Sequence, residues 1–190
     1  MAGAPRRGKT AVKAWLALAR VIDALNERVG RLAIWLVLAA TLISAGNALV
    51  RYGLNASSNA WLEIQWYLFA LIFLLGAGYT LKHNGHVRID VLYGRASPRT
   101  QAWVDLLGGL FFLLPMSGLI AWLGWEFFLT AYAIGETSPD AGGLPRWPIK
   151  LAIPLGFALL WLQGLAEVIK RAGVLWGGMP YSEERSEDVA

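Results

Sequence analysis

Four long apolar stretches constrain the fold of this chain more than any other feature of its sequence. They occupy residues 32–50, 61–81, 101–134 and 149–169. A helix rises about 1.5 Å per residue, so about 20 apolar residues are enough to cross the hydrocarbon core of a bilayer. The third stretch is longer and contains Pro115, so we expect it to tilt or to kink. The sequence therefore predicts an all-α membrane protein with four transmembrane helices.

The composition agrees with a membrane protein and argues against several classes of enzyme. Of the 190 residues, 56% are hydrophobic and 16% are charged, whereas about a quarter are charged in soluble domains. The chain has no cysteine, which excludes thiolate catalysis, disulfides and cysteine-ligated metals. It also has no Gly-x-x-x-x-Gly-Lys phosphate loop, so we expect no ATPase activity. We predict that the chain is not an enzyme and binds no cofactor.

The distribution of basic residues predicts the orientation of the helices. Lys and Arg number seven before the first stretch, then one, four and two in the three loops, and three in the tail. Because cytoplasmic loops are enriched in basic residues, both termini and the middle loop are predicted to be cytoplasmic. The net charge of +4 follows from this distribution, and we expect no nucleic-acid partner. We divide the chain into a cytoplasmic N-terminal segment (residues 1–31), a four-helix transmembrane domain (32–171) and a cytoplasmic tail (172–190).

Residues 11–31 show a second pattern, ahead of the first apolar stretch. Apolar side chains recur at three- and four-residue spacing: Val12, Trp15, Leu16, Ala19, Ile22, Leu25 and Val29. Charged side chains line the other face: Lys13, Arg20, Asp23, Glu27 and Arg31. The pattern predicts an amphipathic helix that lies in the cytoplasmic membrane interface. A solvated helix that packs on a partner fits the same pattern.

A polar hexad lies between the second and third apolar stretches. It consists of Gly85, His86, Val87, Arg88, Ile89 and Asp90. A charged loop held between two membrane spans more often marks an interface or an anchor than a catalytic centre. The two histidines, His83 and His86, have no third ligand at a convincing spacing, so we expect structural or headgroup contacts rather than a metal or haem site. We take Gly85, His86, Arg88 and Asp90 as candidates for a partner interface.

Few polar residues fall inside the predicted spans. They are Asn47, Glu63, Gln65, Ser117, Glu126, Gln163 and Glu167. Glu63, Glu126 and Glu167 each lie within about two turns of a span end and none is clearly at the bilayer centre, so the sequence does not supply the ordered carboxylates of a proton or ion pathway. Glu63 and Arg51 are both near the short first loop. Either they form an ion pair that fixes how the first two helices meet, or each is solvated separately.

Small and polar residues on the spans predict helix packing. They recur at Ala40, Ser44 and Ala48, at Gly76 and Thr80, and at Gly156, Gln163 and Gly164. Small side chains let helices approach closely in lipid, where no hydrophobic force drives association. We expect at least half of this surface to pack inside the chain and some of it to remain for a larger partner.

The third loop, residues 135–148, is rich in turn-forming residues. Three prolines stiffen it and Gly142-Gly143 allows it to fold back. On the predicted topology it faces the outside, with Asp140 and Arg146 as its candidate interface residues. It either docks an external protein or caps the helical bundle, and both interpretations stay open here.

Several of these residues together resemble a known family. They are Asn47, Arg51-Tyr52, the run 59–69 (Asn-Ala-Trp-Leu-Glu-Ile-Gln-Trp-Tyr-Leu-Phe), Gly76-Ala77 and the hexad 85–90. In this order and spacing they resemble the small membrane subunit of tripartite ATP-independent periplasmic (TRAP) transporters, of the DctQ type. The resemblance covers about residues 30–170. Many members carry two adjacent acidic residues at the start of the second helix, whereas here Leu62 precedes Glu63.

The resemblance implies a function in secondary transport across the bacterial inner membrane. In such transporters a periplasmic binding protein captures an organic acid and delivers it to a large membrane subunit. The large subunit holds the substrate and ion sites and moves like an elevator, driven by an ion gradient, in this case sodium. The small subunit is similar to a scaffold that braces the stationary part. By this resemblance, the expected partners are the large subunit, the binding protein and the lipid bilayer.

Two other classes of function compete with this interpretation. The first is a membrane-anchor subunit of a redox or other enzyme complex, which the placement of both histidines in one loop argues against. The second is a self-assembling four-helix channel, which needs a continuous polar stripe along a span. The first span offers only Ser44 and Asn47 for such a stripe.

Overall fold

The structure, a computed structural model, describes residues 6–56, 58–86 and 93–177. The helices are α1 (Arg6–Leu54), α2 (Asn59–Lys82), α3 (Pro98–Gly108), α4 (Leu114–Ala133) and α5 (Trp147–Gly177), with a π-helical turn (Gly109–Leu113) joining α3 to α4. Four helical segments are long and apolar enough to cross a membrane: Lys13–Leu54, Asn59–Lys82, Pro98–Ala133 and Trp147–Trp176. The predicted all-α membrane fold with four transmembrane helices is confirmed.

The first helix is much longer than the predicted first span. α1 continues for 49 residues without a break between the segment 11–31 and the apolar stretch that follows. Ala19 and Ile22 are buried in a small core with Ala166 of α5. A separate amphipathic helix lying in the membrane interface is therefore not confirmed. No glycine–proline pair or turn sequence interrupts residues 26–36, so the backbone has no local reason to bend there.

The third span is irregular directly before Pro115. The five residues Gly109–Leu113 form a π-helical turn directly before α4. A proline inside a helix lacks an N–H donor, and its ring displaces the carbonyl group four residues earlier. That carbonyl belongs to Phe111, which lies in the wider π-helical turn. The Ser117 hydroxyl donates a hydrogen bond to the Leu113 carbonyl, so a nearby polar side chain also pairs locally.

The fifth helix is the centre of the bundle, since it packs against all four other helices. Close approach depends on glycine at two positions. A Cβ atom at Gly156 would lie 2.7 Å from the Leu74 carbonyl oxygen of α2, and one at Gly164 would lie 2.9 Å from Leu113. These two predicted small-residue contacts are confirmed as packing within the chain. By contrast, Gly76 has open space around it and Ala48 is exposed.

The outer surface of the bundle is covered by large apolar side chains. Trp122, Phe112 and Met116 each expose more than half of their surface, as do Leu42 of α1 and Phe73 of α2. A soluble protein of this size rarely exposes so much contiguous apolar surface. The pattern is that of a bundle whose surroundings are lipid or other transmembrane helices.

Candidate functional site

Glu63 is the most constrained carboxylate near the α4–α5 loop. It is the fifth residue of α2 and only 5% of its surface is exposed. Its carboxylate accepts hydrogen bonds from the Ser138 hydroxyl and from the Leu144 backbone N–H, the latter at 2.6 Å. Two donors of the α4–α5 loop therefore satisfy a carboxylate that the helices alone leave without a partner.

Two further residues of α2 bind the same loop, one turn before and one turn after Glu63. The Asn59 side-chain amide donates to the Ala141 carbonyl at 3.0 Å, and the Tyr67 hydroxyl donates to the Pro145 carbonyl at 3.0 Å. Residues four apart lie on one face of a helix, so these three side chains form a row. We call Asn59, Glu63 and Tyr67 the α2 row. It fixes the loop along about 12 Å of the helix.

The loop folds back on itself to meet the α2 row. Thr137 and Pro145 form an isolated antiparallel bridge, and the Ser138 N–H donates to the Leu144 carbonyl at 3.0 Å. Gly142 closes the turn with a φ of +72°, a conformation that favours glycine. A Cβ atom at Gly143 would lie 2.8 Å from Glu63 Oε1, so only glycine lets the loop approach the carboxylate this closely. The described contacts of this loop are those of a cap on the bundle.

The structure replaces the expected ion pair between Glu63 and Arg51. Within the described residues no salt bridge joins them, because the α4–α5 loop supplies the donors that Glu63 needs. Separate solvation of Glu63, the other expectation, is also wrong since the side chain is buried. Arg51 lies exposed near the end of α1.

The other two candidates of this loop are placed differently. Asp140 is exposed, whereas Arg146 is half-buried and acts electrostatically on the Glu63 carboxylate. The buried Nε of Arg146 has no hydrogen-bond acceptor among the described residues. Next to it, Glu136 forms an ion pair with Lys150, whose ammonium lies 3.9 Å from the centre of the Phe127 ring. Asp140 is therefore the more accessible of the two candidates.

At the opposite end of the bundle a second polar group joins α1 to α2. Glu27 of α1 accepts from Lys82 Nζ at 2.8 Å and pairs with His83 Nε2 at 2.8 Å. Arg31, one turn further along α1, contacts the other carboxylate oxygen at 2.9 Å. His83 also packs on Tyr79, with ring centres 4.4 Å apart. This histidine therefore has a structural role in joining two helices.

The same end of α1 is joined to α5 by a related group. Asp23 accepts from Gln163 Nε2 at 2.7 Å and from Lys170 Nζ at 3.1 Å. Lys170 also pairs with Glu167 at 2.6 Å. We call these residues, together with Glu27, Lys82 and His83, the charged cluster. It neutralises acidic side chains of α1 with basic side chains of the two neighbouring helices.

Between the two halves of the charged cluster lies a fully buried amide. Asn26 has no exposed surface, and its Nδ2 donates to the Ile22 carbonyl at 3.3 Å. A Cβ atom at Gly78 would lie 2.1 Å from Asn26 Oδ1. A longer contact of 3.5 Å reaches from Nδ2 to the Leu159 carbonyl of α5. Asn26 therefore fills the place where α1, α2 and α5 meet, and Gly78 makes room for it.

The hexad is described only at its first two residues. The Gly85 N–H donates to the Thr80 carbonyl at 2.9 Å and so ends α2, directly after Asn84, whose φ is +53°. His86 is exposed. Arg88 and Asp90 lie outside the described residues. Among the residues that the structure does describe, no group of three or more His, Cys, Asp or Glu side chains is placed to hold a metal ion.

Sequence reasoning missed the charged cluster. It assigned Asp23 and Glu27 to the polar face of an interfacial helix and did not single out Asn26. Their spacing of three and four residues does place all three on one face, together with Gly30. The partners come from distant segments, however, and no local pattern identifies Lys82 or Lys170 as the residues that neutralise them.

Comparison with known proteins decides the family. The sequence profile described as "Tripartite ATP-independent periplasmic transporters, DctQ component" matches residues 40–173. This chain belongs to the DctQ family. The match begins at Ala40 in the second half of α1 and extends into α5, so it includes the α2 row and the whole α4–α5 loop. Family membership and the four apolar helices place the protein in the bacterial inner membrane as a multi-pass component of TRAP transporters.

Several individual proteins are similar to this DctQ-family chain. The C4-dicarboxylate TRAP transporter small permease protein DctQ of Rhodobacter capsulatus is 40% identical over 101 residues, which are 52% of this chain and 42% of the relative. The protein of the same name from Pseudomonas aeruginosa is 30% identical over 134 residues, 69% of this chain and 61% of the relative. The ectoine TRAP transporter small permease protein TeaB of Halomonas elongata is 30% identical over 139 residues, 73% of this chain and 70% of the relative. The chain thus matches less than two thirds of the length of the first two relatives. No solved structure matches it significantly.

Proposed function

We propose that this chain is the scaffold subunit of a TRAP transporter that imports an organic acid, coupled to an ion gradient, most simply of sodium. In this proposal it packs in the membrane beside a large subunit that carries the substrate and ion sites. A periplasmic binding protein delivers the substrate. The chain itself catalyses no reaction and needs no cofactor.

One observation carries the proposal within the family. Three acidic side chains, one buried and two half-buried, each join one part of the chain to another. Glu63 binds the α4–α5 loop, Glu27 joins α1 to α2, and Asp23 joins α1 to α5. A substrate or ion site needs convergent polar groups that remain available to a ligand. These carboxylates are already paired within the chain. This supports a role in bracing the large subunit rather than in binding substrate or ion.

In this proposal the partner subunits, and not this chain, determine which substrate is transported. Two similar proteins are named for C4-dicarboxylates and a third for ectoine. Small permease proteins of similar sequence thus accompany different substrates, which fits a subunit that does not contact the substrate. We propose an organic acid as the cargo and take a C4-dicarboxylate as the first to be tested.

An uptake experiment tests this function. Cells that lack the chromosomal copy of this chain are supplied with the wild-type chain or with no chain, and accumulation of radiolabelled C4-dicarboxylates is measured with and without a sodium gradient. We expect uptake that depends on both the chain and the gradient. If a panel of organic acids including C4-dicarboxylates shows the same uptake in both strains, the chain is not a required transporter subunit.

A further inference from the structure

Two polar residues near the end of α1 have no partner in the described part of the chain. Asn47 is half-buried and Arg51, one helical turn later, is exposed. Two polar side chains earlier on the same helix are satisfied internally. The Ser44 hydroxyl donates to Gln65 Oε1 at 2.8 Å, and the Thr41 hydroxyl donates to the Val37 carbonyl at 2.9 Å. Asn47 and Arg51 differ from them because their polar groups have no partner among the described residues.

At the depth of Asn47 in the membrane, an amide without a hydrogen-bond partner is unfavourable in free energy. It lies three residues before the end of the apolar stretch 32–50, or about 4.5 Å inside it along the helix axis. Acyl chains at this depth offer no hydrogen-bonding groups. An amide that faces lipid lacks the bonds that water would give it, and this is why asparagine in a span promotes association between helices. Because no described residue pairs with it, the amide of Asn47 is suited to bind a polar group of a neighbouring transmembrane segment.

A cavity beside Asn47 provides the space for that partner. It has a volume of about 460 Å³ and lies where α1, the α1–α2 loop and the start of α2 meet. Its walls include Gly46, Asn47, Ala56, Ser58 and Trp61. An added Cβ atom at Gly46 would meet no atom within 4 Å, so the backbone of α1 is open to close approach there.

The charge of Arg51 indicates the chemistry of the partner. The nearest acidic candidate in sequence, Glu63, is already bonded by Ser138 and Leu144. Arg51 therefore has no carboxylate of its own among the described residues. A guanidinium at this position is best matched by a carboxylate on another chain. A phospholipid phosphate would satisfy Arg51 alone, because it lies too near the surface to reach an amide one turn deeper in the hydrocarbon region.

The exposed surface of the π-helical turn and of the first half of α4 lacks these features. It carries Phe112, Met116, Leu119 and Trp122, large apolar side chains that lipid alone satisfies. We propose that Asn47 and Arg51, with the cavity beside them, are the contact site on this chain for a membrane-embedded segment of the large subunit that presents a carboxylate to Arg51. This inference rests on the proposed function, because it names the surface used for the scaffold contact.

The absence of cysteine from the chain allows a direct test. Single thiols are introduced as Val50→Cys, at a residue that also lines the cavity, and as Leu119→Cys on the exposed face of α4. Each thiol is labelled with a maleimide that carries a photoreactive benzophenone. The tagged chain, co-expressed with the large subunit, is irradiated in native membranes, and crosslinked products are identified by mass spectrometry. We expect a crosslink to the large subunit from position 50 and none from position 119.

Two substitutions measure the polar contacts themselves. Asn47→Leu and Arg51→Gln should each lower the amount of large subunit that co-purifies after detergent challenge by about tenfold, as expected for one lost polar contact between helices. The matched control, Arg99→Gln, removes an exposed charge at the start of α3 and should change nothing. An Arg51→Glu variant should regain co-purification when the partner carboxylate found by crosslinking is replaced by lysine.

The outcomes separate this inference from the proposed function. If the wild-type chain does not co-purify with the large subunit, the proposed function fails. If it does co-purify but position 50 gives no crosslink to the large subunit, or crosslinks only to lipid or to a second copy, the assigned surface is wrong. The assignment is equally wrong if position 119 crosslinks instead, or if both substitutions leave co-purification unchanged.

Discussion

Gly78 is the residue where the packing of three helices leaves the least room. The carbonyl oxygen of the Asn26 side chain occupies the space that a Cβ atom would need, and both groups are deep in the bundle. Gly76, two residues earlier in the same helix, has nothing within 4 Å of the corresponding position. The two glycines thus form a matched pair in which only the surroundings differ.

We expect Gly78→Ala to destabilise the purified protein by about 1–3 kcal/mol, because overpacking forces the buried Asn26 side chain to move. Gly76→Ala should be neutral or stabilising by up to about 1 kcal/mol, since alanine favours helix more than glycine does. Thermal unfolding in detergent, followed by circular dichroism, measures both changes. Equal melting temperatures for the two variants would contradict the packing described at Gly78.

Glu63 is the residue on which contact between α2 and the α4–α5 loop depends most. Glu63→Gln keeps the size of the side chain but replaces one acceptor oxygen with an NH₂ group. That group would face a hydrogen-bond donor of the loop, either the Ser138 hydroxyl or the Leu144 N–H. We expect a loss of about 1–3 kcal/mol in stability, which is typical when a buried charged hydrogen bond is left unmatched. The control is Glu126→Gln, because Glu126 is exposed on α4. Unfolding curves for the two variants should differ, and curves that coincide would mean that the loop does not rely on Glu63.

At the scale of elements, the α4–α5 loop has one side bound to α2 and another that is open. Asp140 lies on the open side. If the loop also helps to seat the binding protein, Asp140→Lys should reduce uptake by reversing a charge at that contact, without reducing co-purification of the membrane subunits. Uptake in cells and pull-down from membranes are measured on the same variant. Unchanged uptake would leave the loop as a cap alone.

The hexad is the second element for which we predict a contact with a partner. Arg88→Ala and Asp90→Ala should each reduce assembly with the large subunit, because charged groups next to a span fix its position against a neighbouring protein or headgroup. The control is Arg95→Ala, which removes an exposed charge shortly before α3. Yields of the assembled complex, compared by gel filtration, decide the question. Normal yields for both hexad variants would remove the hexad from the interface.

The sequence predicts the four spans well because each is marked by an uncharged apolar stretch, a strictly local signal. It predicts the first half of α1 poorly, because the charges there are typical of an amphipathic helix at the membrane interface rather than of a helix packed inside the bundle. Asp23 and Glu27 look solvated in the sequence, yet Lys170 and Lys82 neutralise them from helices 55 or more residues away. The same limit applies to Glu63. The turn residues of the α4–α5 loop predict that it folds back, but not that α2 is what it binds.

At the scale of the whole molecule, the chain is a helical bundle with polar contacts between its elements at both ends and an apolar outer surface between them. The charged cluster joins α1, α2 and α5 at one end, and the α2 row fixes the α4–α5 loop at the other. Between them, large apolar side chains cover the outside. A part that must stay still while a neighbouring domain moves benefits from such ties, because they resist sliding of one helix past another.

The orientation of this bundle follows from the basic residues and is still a prediction. The end that carries the charged cluster is assigned to the cytoplasm, and the end that carries the α4–α5 loop to the periplasm. On this assignment Arg51 and Asn47 lie in the outer half of the membrane, near the side from which the binding protein approaches. The contact proposed for the large subunit and the loop proposed for the binding protein would then be close to the same membrane surface.

The most direct test of the scaffold function is a tag pull-down of this chain from gently solubilised native membranes, with quantitative mass spectrometry of everything recovered. The proposed function predicts one large polytopic membrane protein in about equal amount to the tagged chain. Recovery of the chain alone, or together with redox subunits, would contradict it.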